Sequence, residues 1–209
     1  MSSAAKTVRR ADPIEIPALA RALAGAFFDD PVSIWTCRPD SLRPAVLERF
    51  FAARMRQLAE RGEIWTTEEL AGAAVWAEPG RWKTSFRDDL ELARPALHPR
   101  LLLRAPIVAR GLLGIERSHP REPPHWYLAI LGTCPADQGR GVGSAMLAPV
   151  LEGCDRDGVA AYLESSNERN HAFYGRHGFR VTGEWRLPRG PRVWGMWRDP
   201  RGSSAPYRV

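Results

Sequence analysis

Gly139, Gly141 and Gly143 stand at alternate positions in the segment Cys134-Pro135-Ala136-Asp137-Gln138-Gly139-Arg140-Gly141-Val142-Gly143-Ser144, between an apolar run at 126–131 and a helical pattern at 145–151. Residues without a Cβ let a backbone turn sharply and bring its N–H groups against a ligand. A helix beginning near Gly143 would gather those N–H groups at its positive dipole end, where phosphate binds. Three anion loops compete for this spacing. A P-loop closes on Gly-Lys-Ser/Thr, and Gly143-Ser144 brings no lysine to a β/γ-phosphate and its metal. A dinucleotide fingerprint runs G-x-G-x-x-G; these glycines are one residue too short, and they lie about two-thirds along the chain instead of opening a βαβ unit near its start. The third pattern, Gln/Arg-x-x-Gly-x-Gly/Ala, is met by Gln138, Gly141 and Gly143.

Downstream, Ala160-Ala161-Tyr162-Leu163-Glu164-Ser165-Ser166 reads as a short strand. Asn167-Glu168-Arg169-Asn170-His171-Ala172-Phe173-Tyr174-Gly175-Arg176-His177-Gly178-Phe179 then fits Asn-x-x-(Asn/Ala)-x-x-Φ-Tyr-x-x-x-Gly-Phe. These two motifs, in this order and with a helix and a strand between them, resemble the acetyl-CoA segments of the GCN5-related N-acetyltransferase (GNAT) superfamily. The similarity is closest to puromycin N-acetyltransferase-like members. It is carried by Glu122-Pro123 before Trp126-Tyr127-Leu128-Ala129, the Gln-Gly-basic-Gly-Φ-Gly-Ser loop, Leu163-Glu164-Ser165-Ser166, Phe173-Tyr174 and Gly190-Pro191-Arg192-x-Trp194-x-Met196. It covers about residues 121–200 strongly, and the N-terminal helix with Ala26-Phe27-x-Asp29-x-Pro31 more weakly.

The resemblance implies an α/β (α+β) fold, a central mixed and mostly antiparallel sheet flanked by helices. It implies an acetyl-CoA-dependent N-acetyltransferase that moves an acetyl group to the primary amine of a small molecule by direct attack on the thioester. Gln138, Gly139, Arg140, Gly141, Val142, Gly143 and Ser144 would hold the co-substrate, largely through backbone N–H groups, with hydrogen bonds or charge from Gln138 and Arg140. Leu131, Gly132 and Thr133 would pair with the pantetheine arm like an added strand and supply an oxyanion contact. Asn170 and Asn167 are candidates for further bonds on the sulfur side, and Asn167 also reads as a cap or turn residue.

Acetyl transfer to an amine needs an acid for the leaving thiolate and an acceptor for the amine proton. Tyr174 is the candidate acid; a phenol near 10 facing a thiol near 8.5 is uphill by roughly 2 kcal/mol before any tuning. The base is left open between Glu164, acting directly or through water, and His125, which titrates near neutrality. The central strand carries no carboxylate, and a weakly basic amine needs no base at all. On the acceptor side, Asp30 stands where puromycin-acetylating relatives carry an aromatic residue, which favours a cation over a flat aromatic ring. Trp35, Trp82 and Trp126 are candidates for an aromatic pocket or for the core.

Positioning these groups requires a folded globule, and 209 residues with 44% apolar content and eight tryptophans supply one domain over 1–200, with 201–209 as a C-terminal tail. No run reaches the ~18 apolar residues of a membrane span. No signal-peptide core stands at the N-terminus, so a cytoplasmic protein is expected, as a monomer or homodimer. Three cysteines without a C-x-x-C pair argue against a disulfide framework and a structural zinc; no metal is expected. The net charge of +6 is almost wholly arginine, scattered instead of interleaved with aromatics, so no nucleic-acid partner is expected. Periodicity and turn residues predict a strand at 6–10 and a helix opened by Asp12-Pro13 and stopped by Asp29-Asp30-Pro31. A second helix follows at 41–60, then a hairpin at 63–67 and 70–77. Residues 81–120 are a proline-split pair of short helices, read as a substrate wall or as a packing insertion. Then come strand 126–131, helix 143–157, strand 159–164, helix 170–177 and strands 179–186 and 192–198. Two other functions remain beside the small-molecule enzyme: acetylation of protein lysines or N-termini, and a non-catalytic acyl-CoA-binding module.

Overall fold

A computed structural model describes residues 7–83, 92 and 98–202. Seven strands form one sheet in the order β1-β2-β3-β4-β5-β7-β6. They are β1 (Val8–Arg10), β2 (Gly62–Thr67), β3 (Gly72–Ala77), β4 (His125–Thr133), β5 (Ala160–Ser165), β6 (Arg180–Arg186) and β7 (Arg192–Arg198). Every neighbouring pair is antiparallel except β4 and β5. The sheet is therefore mixed and mostly antiparallel, as expected. Its one parallel joint, β4 with β5, falls where the loop motif lies in the sequence.

Helices cover both faces. On one side lie α1 (Ile16–Ala26) and α3 (Arg43–Ala59); Leu19, Leu23, Phe51, Met55 and Leu58 meet Val75 and Ile130 of the sheet. On the other lie α6 (Val142–Asp157) and α7 (His171–Arg176), whose Met146, Leu147, Val150 and Tyr174 meet Trp76, Leu128 and Leu163. Covered on both faces, β3 is buried at all six positions and reads as an unbroken apolar run instead of an alternating one. The chain enters α1 through a capping box: Asp12 accepts from the Ile14 amide at 2.9 Å, and Glu15 accepts from the Asp12 amide at 2.8 Å.

The first helix stops at Ala26, a turn ahead of Asp29-Asp30-Pro31, and Pro31 opens a second that periodicity did not show. α2 (Pro31–Thr36) is six residues long, too short to display a period, with proline at its first position. Asp30 is extended at its start (φ −65°, ψ 134°) and caps it. Arg43, 3% exposed, holds the stretch between α2 and α3 by donating to the carbonyls of Cys37 at 2.9 Å and Arg38 at 3.0 Å. Of the region at 81–120, Pro95 lies outside the described residues. Pro99 starts the short α4 (Pro99–Leu102), and α5 (Ala105–Ser118) follows. α5 packs against Trp35 so closely that a Cβ on Gly111 would stand 2.5 Å from the indole. Trp35, Leu187 and Val193 thereby join α2, α5 and the β6–β7 hairpin into a third cluster. Of the expected tail, residues 203–209 lie outside the described residues, while the Arg201 amide donates to Asp155 of α6 at 2.8 Å.

Candidate active site

The pairing of β4 with β5 runs from His125 opposite Ala160 to Leu128 opposite Leu163 and then stops. Beyond that point β4 continues to Thr133 against β3 alone. Residue Ala129 is the extra one in the irregularity opposite Val75 and Trp76, and such a bulge bends a strand and increases its twist. The result is a fork, with the β5-facing edge of 129–133 open to an added strand-like partner. Leu131, Gly132 and Thr133 all lie on this open arm. Gly132 also lets α1 approach, since a Cβ there would stand 2.7 Å from Leu23 and 2.8 Å from Phe27.

At the mouth of the fork sits the glycine loop. Gly139 and Gly141 have φ of 74° and 78°, the left-handed region that β-carbons disfavour. A Cβ at either would meet nothing within 4 Å, so the loop surface is open there. Helix α6 begins at Val142, one residue before the expected start, and Gly141 gives it no side-chain cap. The first-turn amides of Val142, Gly143 and Ser144 are therefore those a bound anion would meet at the dipole end. Gln138 donates its side-chain amide to the Thr133 carbonyl at 3.1 Å, tying the loop to the open arm. Arg140 is exposed, 3.6 Å from Asp137. Ser144 shares its hydroxyl with His177 Nε2 at 2.9 Å. This loop and open arm fit a pyrophosphate carrying an amide-containing arm.

Tyr174, on α7, is 8% exposed and lies among Phe173, Phe179 and the α6 side of the core. Burial pushes its phenol up, and the Asp30 carboxylate adds to the rise. Asp30 in turn has both oxygens engaged: one accepts from the Val32 and Ser33 amides at 2.9 and 3.1 Å, the other from the Ser166 hydroxyl. Burial lifts its pKa against those bonds. The adjacent carboxylates thus part company. Asp29 is exposed, and Asp30 fastens α2 to the end of β5 instead of offering a free charge to an acceptor. Asn167 accepts from the Arg169 amide at 3.1 Å, its cap role, while Asn170 starts α7 exposed and with no side-chain cap bond.

Glu164 alternates with Leu163 and so faces the α1/α3 side, opposite Tyr174. There it meets a residue that sequence reasoning missed. His119, just past the end of α5, places Nδ1 3.1 Å from Glu164 Oε1 and Nε2 3.1 Å from His125 Nε2. His125 Nδ1 lies 2.8 Å from the Pro123 carbonyl. The two open candidates for the base are thereby joined through a third side chain. His125 is 2% exposed, so it stands in the interior instead of at a solvated strand end. Trp82, itself part of the core on the α1/α3 side, stacks on His119 with centroids 3.8 Å apart, and Trp35 and Trp126 pack into the other clusters.

Burial, with His119 adding to it, lowers His125 to about 4, against the opposing pull of its Pro123 bond and of Glu164. Burial likewise lowers His177. An unfolded histidine takes its proton near 6.5, so between there and about 4 the unfolded chain binds more protons than the folded one. Stability contributed by neutral His125 is complete above about pH 6.5 and is lost as pH falls toward about 4. Thermal melts at stepped pH should show Tm falling across that window, with a shallower slope in His125→Asn. A flat Tm would count against neutral burial.

The Acetyltransferase (GNAT) family model matches residues 63–179, more than half of the chain. The chain belongs to this family. This GNAT acetyltransferase is 26% identical over 192 residues to an uncharacterized N-acetyltransferase of Schizosaccharomyces pombe, covering 82% of this chain and 73% of that protein. It is similar to the solved structure of histone acetyltransferase HPA2 and related acetyltransferase from Corynebacterium glutamicum. That match has a TM-score of 0.67 at 27% identity and covers 97% of this chain and 100% of the other. Arylalkylamine N-acetyltransferase 2 from Aedes aegypti shares the fold, with a TM-score of 0.57 at 12% identity over 92% of this chain and 98% of its own. The GNAT chain is an acyltransferase, and the family's co-substrate is acetyl-CoA.

Proposed function

We propose that this GNAT enzyme acetylates the primary amine of a small molecule, with Tyr174 as general acid and Glu164 as the group that receives the amine proton. What carries the reading is the placement of these two side chains on opposite faces of the sheet at the fork between β4 and β5. Acetyl-CoA, when bound, supplies an activated acetyl group as a thioester. Leu131, Gly132 and Thr133 present the open strand edge that would line up the pantetheine arm. Gln138, Gly139, Arg140, Gly141, Val142, Gly143, Ser144 and Asn170 border the path of the remainder. An amine arriving from the α1/α3 side meets Glu164; the sulfur departs toward α7, where Tyr174 holds a proton. Keeping acid and base on separate faces prevents each from neutralising the other. In its motifs the chain resembles puromycin-acetylating members. With the Asp30 oxygens already engaged, however, a second positive charge on the acceptor gains no free carboxylate there. We take the protein to work in the cytoplasm, without a metal.

Release of free thiol from acetyl-CoA, measured against a panel of small primary amines and lysine-bearing peptides, tests this. Turnover with small amines and little with peptides is expected. Turnover confined to peptides would replace the small-molecule reading with protein acetylation. Acetyl-CoA binding without transfer to any amine would make the chain a binding module.

A further inference from the structure

The contacts of Glu164, His119 and His125 constrain how many protons they hold. The Pro123 carbonyl only accepts, so His125 Nδ1 must carry a proton toward it. An ionised Glu164 only accepts, so His119 Nδ1 must carry one as well. If both rings are neutral, their Nε2 lone pairs then face each other at 3.1 Å. Moving the His119 proton to Nε2 mends that contact but leaves Nδ1 facing the carboxylate unprotonated. One further proton completes all three contacts and brings the set to zero net charge. The set is nearly sealed: His119 and Glu164 side chains are 3% and 9% exposed, so a mismatched polar contact finds little water to relieve it.

We propose that Glu164, His119 and His125 accept the amine proton as one unit, with His119 and His125 as positioning residues that raise the proton affinity of the Glu164 end. As the C–N bond forms and the C–S bond breaks, the nitrogen gives its proton to Glu164, the most exposed of the three. The proton then rests in the Glu164–His119 contact. The departing sulfur takes its proton from Tyr174, and solvent restores both groups after the products leave. His125, held neutral by burial, keeps its Nδ1 on Pro123 and offers Nε2 as an acceptor, which fixes a proton on His119 Nε2 and directs the arriving one to Nδ1.

Among the described residues, few other ionisable and charged groups surround the set. Tyr127 of β4 hydrogen-bonds Glu164 and is pushed well up by burial and by that carboxylate's charge, with Arg54 of α3 opposing. Tyr162 of β5 lies edge-on to both histidines. Lys83 stands over the outer Trp82 ring, which separates it from His119.

This inference rests on the acetyltransfer reading of the same site, and two measurements keep their failures apart. Nitrogen-15 NMR of the histidines, assigned by loss of signals in single variants, needs no acceptor. His119 and His125 are expected to respond to one shared uptake, with His119 doubly protonated and His125 neutral. In Glu164→Gln that uptake should move to lower pH by more than about one unit. Separate titrations, indifferent to Glu164, would overturn the unit even in a protein that acetylates amines. The second measurement is the pH dependence of kcat/KM in His119→Asn. The asparagine amide can stand where Nδ1–H stands and keep Glu164 in place, but it takes up no proton. The acid limb of the profile should move to lower pH, and the maximal rate should fall about 10–100-fold. An unmoved profile would show Glu164 acting without the rings.

Discussion

Tyr174→Phe is expected to lower kcat about 10²–10⁴-fold while leaving acetyl-CoA affinity nearly unchanged. The substitution removes one hydroxyl and keeps the ring between Phe173 and Phe179, so the core around α7 has no cavity to collapse into. Burial and Asp30 both hold the phenol in its protonated form, so Tyr174 reaches the reaction with its proton in place. The same burial that makes it a weaker acid also makes a desolvated thiolate a stronger base, and the roughly 2 kcal/mol gap between free phenol and free thiol need not widen. Because the phenol does not ionise in the working range, no fall in kcat on the alkaline side belongs to it. Single-turnover kinetics beside calorimetric titration of acetyl-CoA separate the two effects. Turnover surviving within a few-fold would remove Tyr174 from the acid role.

Gly141→Val should abolish detectable acetyl-CoA binding. At φ 78° a β-branched residue is a steric outlier, so valine would force the loop out of the conformation that starts α6. The space around this position is open within the protein, so a side chain there would stand on the surface where the loop amides face an anion. Strain and obstruction act together on binding, while the core contacts of Val142 and Met146 lie on the opposite side of the helix start. Calorimetry with circular dichroism checks both: wild-type affinity in a folded variant would sink the cradle assignment.

The second strand, the two long helices of the α1/α3 layer and the chain of elements after residue 125 were legible because their signals are local. A proline at a first helical turn, a capping pair such as Asp12 and Glu15, and glycines needed at positive φ act over a few residues. The fork could not be read the same way. It depends on where two strands distant in sequence cease to pair, which the bulge at Ala129 and the packing of α1 against Gly132 influence together. α2 escaped notice because one turn and a half of helix shows no period, and its cap residue had an equally good reading as a stop.

The candidate site divides along the same line. The loop of its proposed co-substrate half is continuous and runs into a helix start, so residue type and spacing determined it: an anion cradle needs glycine geometry and a dipole end, and both are written in adjacent residues. Its proposed proton-accepting half was decided by tertiary structure. Glu164 and His119 are 45 positions apart, and they meet because α5 runs beneath the β6–β7 hairpin and releases the chain beside the end of β5. Whether a carboxylate there is a solvated surface group or one end of a buried histidine pair depends on which side chains share its cavity. Strand order and helix packing set that, and no short-range preference of the chain encodes it.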